Sequence, residues 1–251
     1  MIKKIHYIWV GGNKKSRRIE KCLASWERFF PDWEIIEWNE ENLNMDEVPY
    51  CRQAYDCKKY AFVSDYFRFR ILYQYGGLYL DTDVEILRPF DDLLADYEMI
   101  FGFENKQYVA PGLICYAGRP GLQLFHRIYH SYQDEVFLKP DGSYNLFTVC
   151  ERITPMLEEE GFQMNDTFQT IHGMALFPHE YFCPTDYVWS RQDFTDHTRT
   201  IHHYDGSWGS LRFQIIKNTK KTIYRVFKPG LVKRILTYTR KMKESVRWKK
   251  R

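Results

Sequence analysis

The chain has 251 residues, of which 44% are hydrophobic and 18% aromatic, and its formal net charge is +3. This length supports one α/β domain with a sizeable core. The small net charge conceals an asymmetry, because residues 217–251 hold about 14 bases and one acid, which leaves the preceding part acidic by about ten charges. An acidic body without an evident basic face outside the tail argues against nucleic acid as the main partner.

Cysteine spacing and hydropathy indicate the compartment. The six cysteines show neither a CxxC pair nor a zinc-like spacing. No apolar run approaches the roughly 18 residues of a membrane span. Residues 1–4 lead directly into a strand pattern, without the regions of a secretory signal. These features predict a reduced, cytoplasmic protein.

Strand and helix patterns alternate in the first half of the chain, which predicts an α/β fold. Gly11 and Gly12 follow the first strand, and a strand, glycines and a helix commonly begin nucleotide-binding sheets. No GxGxxG motif follows, which disfavours a dinucleotide site. Gly76 and Gly77 end the second helix, because glycine adopts the left-handed conformation without steric cost. The predicted elements are a strand at 4–10, a helix at 16–30, a strand at 33–38, a loop at 39–47, a helix at 54–75, and strands at 78–80 and 84–87.

Turn residues divide the second half of the chain. Pro111 and Gly112 lie in a polar loop between two strand candidates. Pro120 begins a helix as a first-turn residue, and residues 141–143 (DGS) provide turn and cap signals before another. The predicted elements are strands at 98–103 and 113–116, helices at 120–132 and 145–159, an extended segment at 168–177, an irregular aromatic segment at 178–200 and a strand at 200–204.

Asp81 and Asp83 form the motif around which we expect the functional site. They follow the letters GGLYL, so both carboxylates leave a buried strand. Ligands of open α/β sheets bind beyond the carboxyl ends of the strands, and oxygen ligands suit a hard divalent cation. A solvated turn or a helix cap is the alternative. A metal role is favoured because burying two charges without a cation would be costly.

Two further groups of residues have a structural and a functional interpretation. Asp65 and Arg68 share one helix face, either as an intrahelical ion pair, which the spacing alone favours, or as a ribose- and phosphate-binding pair. For Trp9, a position in the core is likewise favoured over a role as a base-stacking platform. His202 and His203 are adjacent on a strand and point to opposite faces, so at most one of them reaches a given site.

Three blocks, KIHYIWVGG, SDYFRFRILYQYGGLYLDTDV and IHHYDGSW, occur in this order over residues 1–210. Together they resemble the DXD-containing sugar transferases of glycosyltransferase family 32, of the capsular and exopolysaccharide type, and the catalytic domains of large glucosylating bacterial toxins. The resemblance implies a GT-A type nucleotide-sugar-binding fold, with a central mixed, mostly parallel sheet flanked by helices. It also implies a retaining, metal-dependent enzyme that transfers a hexose or N-acetylhexosamine from a nucleotide sugar. UDP-sugars are the implied donors, Mn²⁺ or Mg²⁺ the implied ions, and a glycan or lipid-linked oligosaccharide the implied acceptor in surface polysaccharide synthesis.

The resemblance assigns donor-binding roles to four residues. Trp9 corresponds to a tryptophan that stacks on the nucleobase. Asp65 and Arg68 correspond to a pair that binds ribose and donor. Tyr79 corresponds to an aromatic residue of the donor pocket.

The resemblance also assigns the catalytic centre. Asp81 would bridge ribose and metal, and Asp83 would bind the metal directly. Ser207 and Trp208 would belong to a loop that closes over the diphosphate. Arg68 and the Trp208 indole would then stabilise the charge of the departing diphosphate.

The chain departs from the toxin relatives at one position. These relatives carry an acidic metal ligand just before the loop serine, where this chain has His203, Tyr204 and Asp205. We expect His203 to be the third metal ligand, with Asp205 as the alternative.

The chain is expected to comprise a glycosyltransferase domain over residues 1–216 and a basic tail over residues 217–251. Residues 231–248 predict an amphipathic helix on an anionic membrane surface, which would make the protein peripheral on the inner face of the cell membrane. A solvated terminus or a partner-binding helix is the alternative.

Two other functional classes are compatible with paired acids on an α/β sheet. A metal-dependent nucleotidyltransferase is disfavoured, because no glycine- and lysine-rich triphosphate loop is present. A non-catalytic nucleotide-sugar-binding protein would not need Asp81 and Asp83 together with Arg68.

Overall fold

The structure is a computed structural model that describes residues 1–186, 191–192 and 194–204, with only the backbone of residues 185, 186, 191 and 192. Its helices are α1 (Arg17–Phe29), α2 (Pro49–Asp56), α3 (Tyr60–Tyr75), α4 (Asp91–Asp96), α5 (Gln123–His130), α6 (Val149–Glu159) and α7 (His179–Phe182). Its strands are β1 (Lys4–Ile8), β2 (Glu34–Trp38), β3 (Gly77–Tyr79), β4 (Val84–Ile86), β5 (Met99–Gly102), β6 (Cys115–Ala117), β7 (Gln169–Ile171), β8 (Met174–Phe177), β9 (Thr185–Asp186), β10 (Arg191–Gln192) and β11 (Thr200–His202).

A seven-stranded mixed sheet in the order β2-β1-β3-β6-β5-β8-β7 forms the centre of the fold. β1 pairs in parallel with β2 and β3, and β5 pairs in parallel with β8. β6 is antiparallel to both β3 and β5, and β7 is antiparallel to β8. The predicted mixed α/β sheet is confirmed, although its pairings are divided equally between the two directions. Because β1, β3 and β5 run the same way, their carboxyl ends meet at one edge.

Side chains alternate along each strand, so the sheet buries a separate core on each face. Tyr79 and Phe101 belong to the core beneath α2, α3, α5 and α6. Leu78 and Ile100, one position earlier on the same strands, belong to the core on the opposite face, with Trp26 of α1. This layering of helices on both faces agrees with the expected nucleotide-sugar-binding fold.

Local signals explain where the helices begin and end. The predicted helix at 54–75 is divided into α2 and α3, because Lys58 adopts φ +57°, outside the helical region. Thr148 forms a capping box with Glu151, so α6 begins later than predicted. The predicted stop at Gly76 is confirmed, with φ +64° at the end of α3.

Two pairs of short strands accompany the main sheet. β11 is antiparallel to β4, with Thr200 opposite Ile86 and His202 opposite Val84. β9 and β10 form an antiparallel pair of their own. No helix in the described ranges has the length and apolarity that crossing a membrane requires. The predictions for residues 205–251, including Ser207, Trp208, the domain boundary and the basic tail, lie outside the described residues.

Candidate active site

The site lies at the edge of the sheet where β1 and β3 end. Ile5 of β1 is in register with Leu78 of β3, so Trp9 and Asp81 leave neighbouring parallel strands in the same direction. The backbone N–H of Asp81 donates to the carbonyl of Gly112 (2.9 Å), which ties the start of the DXD motif to the segment before β6. The predicted position beyond the strand ends is therefore confirmed for the motif.

Arg68 of α3 connects the helix to the motif. Its Nη2 lies 3.0 Å from Asp65 Oδ1 and 3.4 Å from Asp81 Oδ1. The guanidinium also donates to the carbonyl and hydroxyl oxygens of Ser64, at 3.0 Å each, and stacks 4.8 Å from the centre of the Tyr79 ring. The Tyr79 hydroxyl donates to Asp81 Oδ1 (3.0 Å). The intrahelical ion pair expected from spacing is present, and it extends to the DXD motif.

Burial sets the electrostatics of this cluster. Burial raises the pKa of Asp65 to about 7, and Arg68 opposes this shift. Burial also opposes the charge of Arg68, but Asp81 and its neighbours outweigh that effect and raise the pKa of the guanidinium. Burial raises the pKa of Tyr79, which keeps its hydroxyl a donor. The cluster therefore holds a permanent cation, Arg68, beside the motif. Nη1 of Arg68 donates to no acceptor in the described part of the chain.

Gly112 is a site residue that the sequence interpretation missed. A Cβ atom at this position would lie 1.9 Å from Asp81 Oδ2 and 3.1 Å from Arg68 Nη1. Only glycine leaves space for the carboxylate there. The Pro-Gly pair signalled a turn, but the approach of residue 112 to residue 81 depends on how β3 and β6 pair.

His202 at the end of β11 and His203 just after it take opposite positions, as their adjacency predicted. His202 Nε2 lies 2.9 Å from Asp83 Oδ1, whereas His203 Nε2 lies 2.8 Å from Glu85 Oε2. The imidazole beside the Asp83 side chain is therefore that of His202, because the pairing of β11 with β4 directs it there, while His203 reaches Asp83 through its backbone N–H, which donates to the Asp83 carbonyl (3.0 Å). The metal role of His203 stays a prediction. Burial opposes the charged form of His202, but Asp83 outweighs it and raises the pKa of the imidazole. The alternative ligand, Asp205, lies outside the described residues.

Trp9 lies at the margin of the core beside β1. Its side chain is half-buried, and its indole N–H donates to the Asn13 carbonyl (2.7 Å). Lys15 Nζ lies 5.7 Å from the centre of its ring. Trp9 thus packs against the core without being enclosed by it.

The donor set at the motif fits a divalent cation that a phosphate ligand completes. No group of three or more His, Cys, Asp or Glu side chains within the described ranges is arranged to hold a metal ion. Mg²⁺-like ions, however, are commonly bound by one or two carboxylates together with substrate phosphates. Tyr79 and Arg68 both contact Oδ1 of Asp81, so Oδ2 keeps its lone pairs. Asp81 and Asp83 therefore suit such an ion.

Comparison with known proteins agrees with this site. Residues 16–100 match the family described as the glycosyltransferase sugar-binding region containing the DXD motif. The resemblance to DXD-containing sugar transferases is thus confirmed for the segment that contains α3, β3 and the motif.

Two curated relatives are mannosyltransferases. The chain is 30% identical over 128 residues to the initiation-specific alpha-1,6-mannosyltransferase of Candida albicans, covering 47% of this chain and 33% of that protein. It is 27% identical over 171 residues to inositol phosphoceramide mannosyltransferase 1 of Schizosaccharomyces pombe, covering 59% of this chain and 50% of that protein. The chain therefore spans half or less of the length of these relatives. A solved glycosyltransferase involved in glycosylation of the major capsid of PBCV-1 superimposes with a TM-score of 0.46 at 11% identity, over 88% of this chain and 98% of that one.

Proposed function

We propose that this protein is a retaining, metal-dependent glycosyltransferase that moves a hexose or N-acetylhexosamine from a nucleotide sugar to a glycan or lipid-linked acceptor. The observation that carries the proposal is the buried contact of Arg68 with Asp65, Tyr79 and Asp81, inside the segment that matches a sugar-binding region. UDP-sugars are the proposed donors. The names of the two relatives add mannose to the sugars to test, and inositol phosphoceramide supports a lipid-linked acceptor.

Each residue of the cluster has a distinct part in this proposal. Asp83 and Oδ2 of Asp81 would hold Mn²⁺ or Mg²⁺, which supplies positive charge beside the diphosphate. Tyr79 and Arg68 orient Asp81 through Oδ1. Nη1 of Arg68 is the group available for a phosphate oxygen, and a guanidinium suits that role.

The proposed reaction moves charge toward Arg68. The bond between the anomeric carbon and the diphosphate oxygen breaks, and its electron pair stays on the diphosphate. The acceptor oxygen forms the new bond from the face that the diphosphate leaves, which retains the anomeric configuration. The proton of the acceptor hydroxyl passes to the departing diphosphate. Arg68 stabilises the charge where it develops, because its position is set before the reaction begins.

A panel of nucleotide sugars tests the proposal. We expect the protein to release nucleoside diphosphate from one of UDP-glucose, UDP-galactose, UDP-N-acetylglucosamine and GDP-mannose when Mn²⁺ or Mg²⁺ is present, and not in excess chelator. Asp83→Ala should abolish release without changing the circular dichroism spectrum. Full turnover by this variant would reject the site. Pyrophosphate release from nucleoside triphosphates would indicate a nucleotidyltransferase, and binding without release would indicate a non-catalytic protein.

We also propose, from the charge pattern alone, that residues 217–251 bind an anionic membrane surface at the cytoplasmic face. Liposome flotation should recover the full chain with vesicles that contain phosphatidylglycerol, and should not recover a chain that lacks residues 217–251. Equal recovery of both forms would reject the proposal.

A further inference from the structure

A third carboxylate, Glu104, leaves the sheet at the same edge as the DXD motif. β3 and β5 both pair with β6, with Tyr79 and Phe101 each opposite Cys115. Residues equally far beyond β3 and β5 therefore lie two strands apart, at roughly 10 Å. The N–H of Glu104 donates to the Tyr108 carbonyl (2.9 Å), which fixes the backbone at this point.

A chain of contacts joins Glu104 to Asp83. The Tyr204 hydroxyl donates to Glu104 Oε1 (3.1 Å). The Tyr204 ring lies 4.1 Å from the imidazole of His202, centre to centre. His202 in turn lies 2.9 Å from Asp83. Because Tyr204 follows β11 and His202 belongs to it, β11 positions the two middle members of these contacts.

Cys150, at the start of α6, is influenced electrostatically by Glu104 and by the Arg68 cluster. Burial raises the pKa of the Cys150 thiol, and the negative charges of Glu104 and Asp65 contribute to the shift while Arg68 opposes it. One thiol at the start of α6 is thus close enough to interact with both groups of charges. The Cys150 side chain also packs against both cores.

Glu104 keeps hydrogen-bonding capacity for a ligand. It is half-buried, and no basic side chain in the described ranges forms an ion pair with it. Tyr204 donates its hydrogen bond to Oε1. Oε2 accepts no hydrogen bond from the described residues. An ionised carboxylate only accepts hydrogen bonds, and its two oxygens suit neighbouring hydroxyl groups.

We propose that Glu104, positioned by Tyr204, forms a hexose-binding subsite in which its carboxylate accepts hydrogen bonds from sugar hydroxyl groups. This subsite rests on the proposed glycosyltransferase function and deepens it. The hydroxyl groups belong either to the hexose of the donor or to the acceptor sugar. Glu104 orients the sugar and takes part in no covalent step.

Isosteric variants test the subsite. Glu104→Gln replaces one acceptor oxygen by an amide donor. Tyr204→Phe removes the hydroxyl group, which contacts both Glu104 Oε1 and Cys183 Sγ. Glu98→Gln is the matched control, because Glu98 precedes the same strand at its other end and pairs with Arg119. Calorimetry would compare the binding of UDP and GDP with that of UDP-glucose, UDP-galactose, UDP-N-acetylglucosamine and GDP-mannose in Mn²⁺, and kinetics would follow hydrolysis and transfer.

We expect Glu104→Gln to lower sugar recognition about tenfold or more, the loss typical of a hydrogen bond to a charged group. A donor-sugar contact would appear as weaker nucleotide-sugar binding and slower hydrolysis, with unchanged nucleoside diphosphate affinity. An acceptor contact would appear as a raised acceptor KM with unchanged hydrolysis. Tyr204→Phe should shift the same parameter less, and Glu98→Gln should shift neither.

Two results would overturn the subsite in different ways. If Glu104→Gln binds and transfers sugar as the wild-type protein does, the subsite is wrong while the proposed function stands. If the wild-type protein binds no nucleotide sugar, the proposed function fails and the subsite fails with it. A melting temperature of Glu104→Gln close to that of the wild-type protein would show that the variant folds.

Discussion

Arg68 and Arg127 each meet two carboxylates, but one lies inside the protein and the other on its surface. The Arg68 side chain is 3% exposed and approaches Asp65 and Asp81 at 3.0 and 3.4 Å. The Arg127 side chain is 45% exposed and approaches two carboxylates at the end of α6 at 2.7 and 2.6 Å. The exposed contacts are the shorter ones, so distance alone does not rank the two groups.

The difference shows that burial, and not contact geometry, distinguishes a site from a surface ion pair. Water screens the charges around Arg127, and exposed pairs contribute about 0–1 kcal/mol. Arg68 and Asp65 have lost most of their hydration, which costs several kcal/mol per ion unless the partners compensate fully. A buried charged group of this kind beside a DXD motif indicates that its charge has a functional role.

The largest effect is expected from Arg68→Met. The variant leaves the buried Asp65 and the half-buried Asp81 without their cation, so the free energy of unfolding should fall by about 3–5 kcal/mol. Donor turnover should be lost as well. Urea denaturation and the nucleotide-sugar assay would measure the two effects, and a loss below about 1 kcal/mol would show that the buried group behaves as a surface pair.

His6 is buried with full hydrogen bonding but, unlike Arg68, without a countercharge. Its Nε2 donates to the Gly76 carbonyl (2.9 Å), and Trp38 donates to its Nδ1 (3.1 Å). Burial lowers the pKa of His6 to about 4. The unfolded chain, with a pKa of about 6.5, binds more protons between these values, so stability falls as the pH falls from about 6.5 to 4.

The wild-type protein and His6→Gln differ in their free energy of unfolding. We expect this difference to decrease by about 3 kcal/mol between pH 7 and pH 4. Urea denaturation at several pH values would measure it. The same substitution at the exposed His130, which lies outside the core, serves as the control. A constant difference for His6→Gln would contradict the assignment of a neutral, buried imidazole.

Gly112→Ala tests the close approach at the motif. The new methyl group would displace Asp81 Oδ2, so the free energy of unfolding should fall by about 1–3 kcal/mol and UDP binding in Mn²⁺ should weaken. Gly118→Ala is the control at the opposite edge, where the nearest atom, the Glu98 carbonyl oxygen, is 3.2 Å away. Its UDP affinity should stay at the wild-type value. Equal UDP affinity of both variants and the wild-type protein would show that Asp81 does not need this space.

The smallest effect is expected from Arg127→Met, the surface counterpart of Arg68→Met. The free energy of unfolding should change by less than about 1 kcal/mol, and high salt should reduce the change further. Thermal melts at low and high ionic strength would measure it. A decrease in the free energy of unfolding as large as that of Arg68→Met would show that burial does not distinguish the two groups of charges.

The centre of the site could be predicted from local signals. Gly76 ends α3, an apolar strand follows, and Asp81 and Asp83 come next, so the order of these features along the chain placed the motif at a strand end. The spacing of Asp65 and Arg68 predicted their shared face correctly. These features depend on residues close in sequence, whose geometry follows from the helix and strand periods.

The rest of the site depends on long-range pairing. The choice between His202 and His203 required the register of β11 against β4. The roles of Gly112 and Glu104 required the strand order β3-β6-β5, because only this order brings residues 81, 104 and 112 to one edge. Sequence periodicity shows that two adjacent residues point apart, but not which of them faces a distant partner.

The binding of UDP and GDP with and without Mn²⁺ tests most directly whether Asp81 and Asp83 join a cation to a diphosphate beside Arg68. By calorimetry, the wild-type protein should bind one of the two nucleotides at least about tenfold more tightly with Mn²⁺, since the ion and the diphosphate complete each other's contacts. Asp83→Asn should lose this dependence, and His130→Gln, at an exposed histidine of α5, should keep it. Equal affinity with and without Mn²⁺, or an unchanged dependence in Asp83→Asn, would contradict the account.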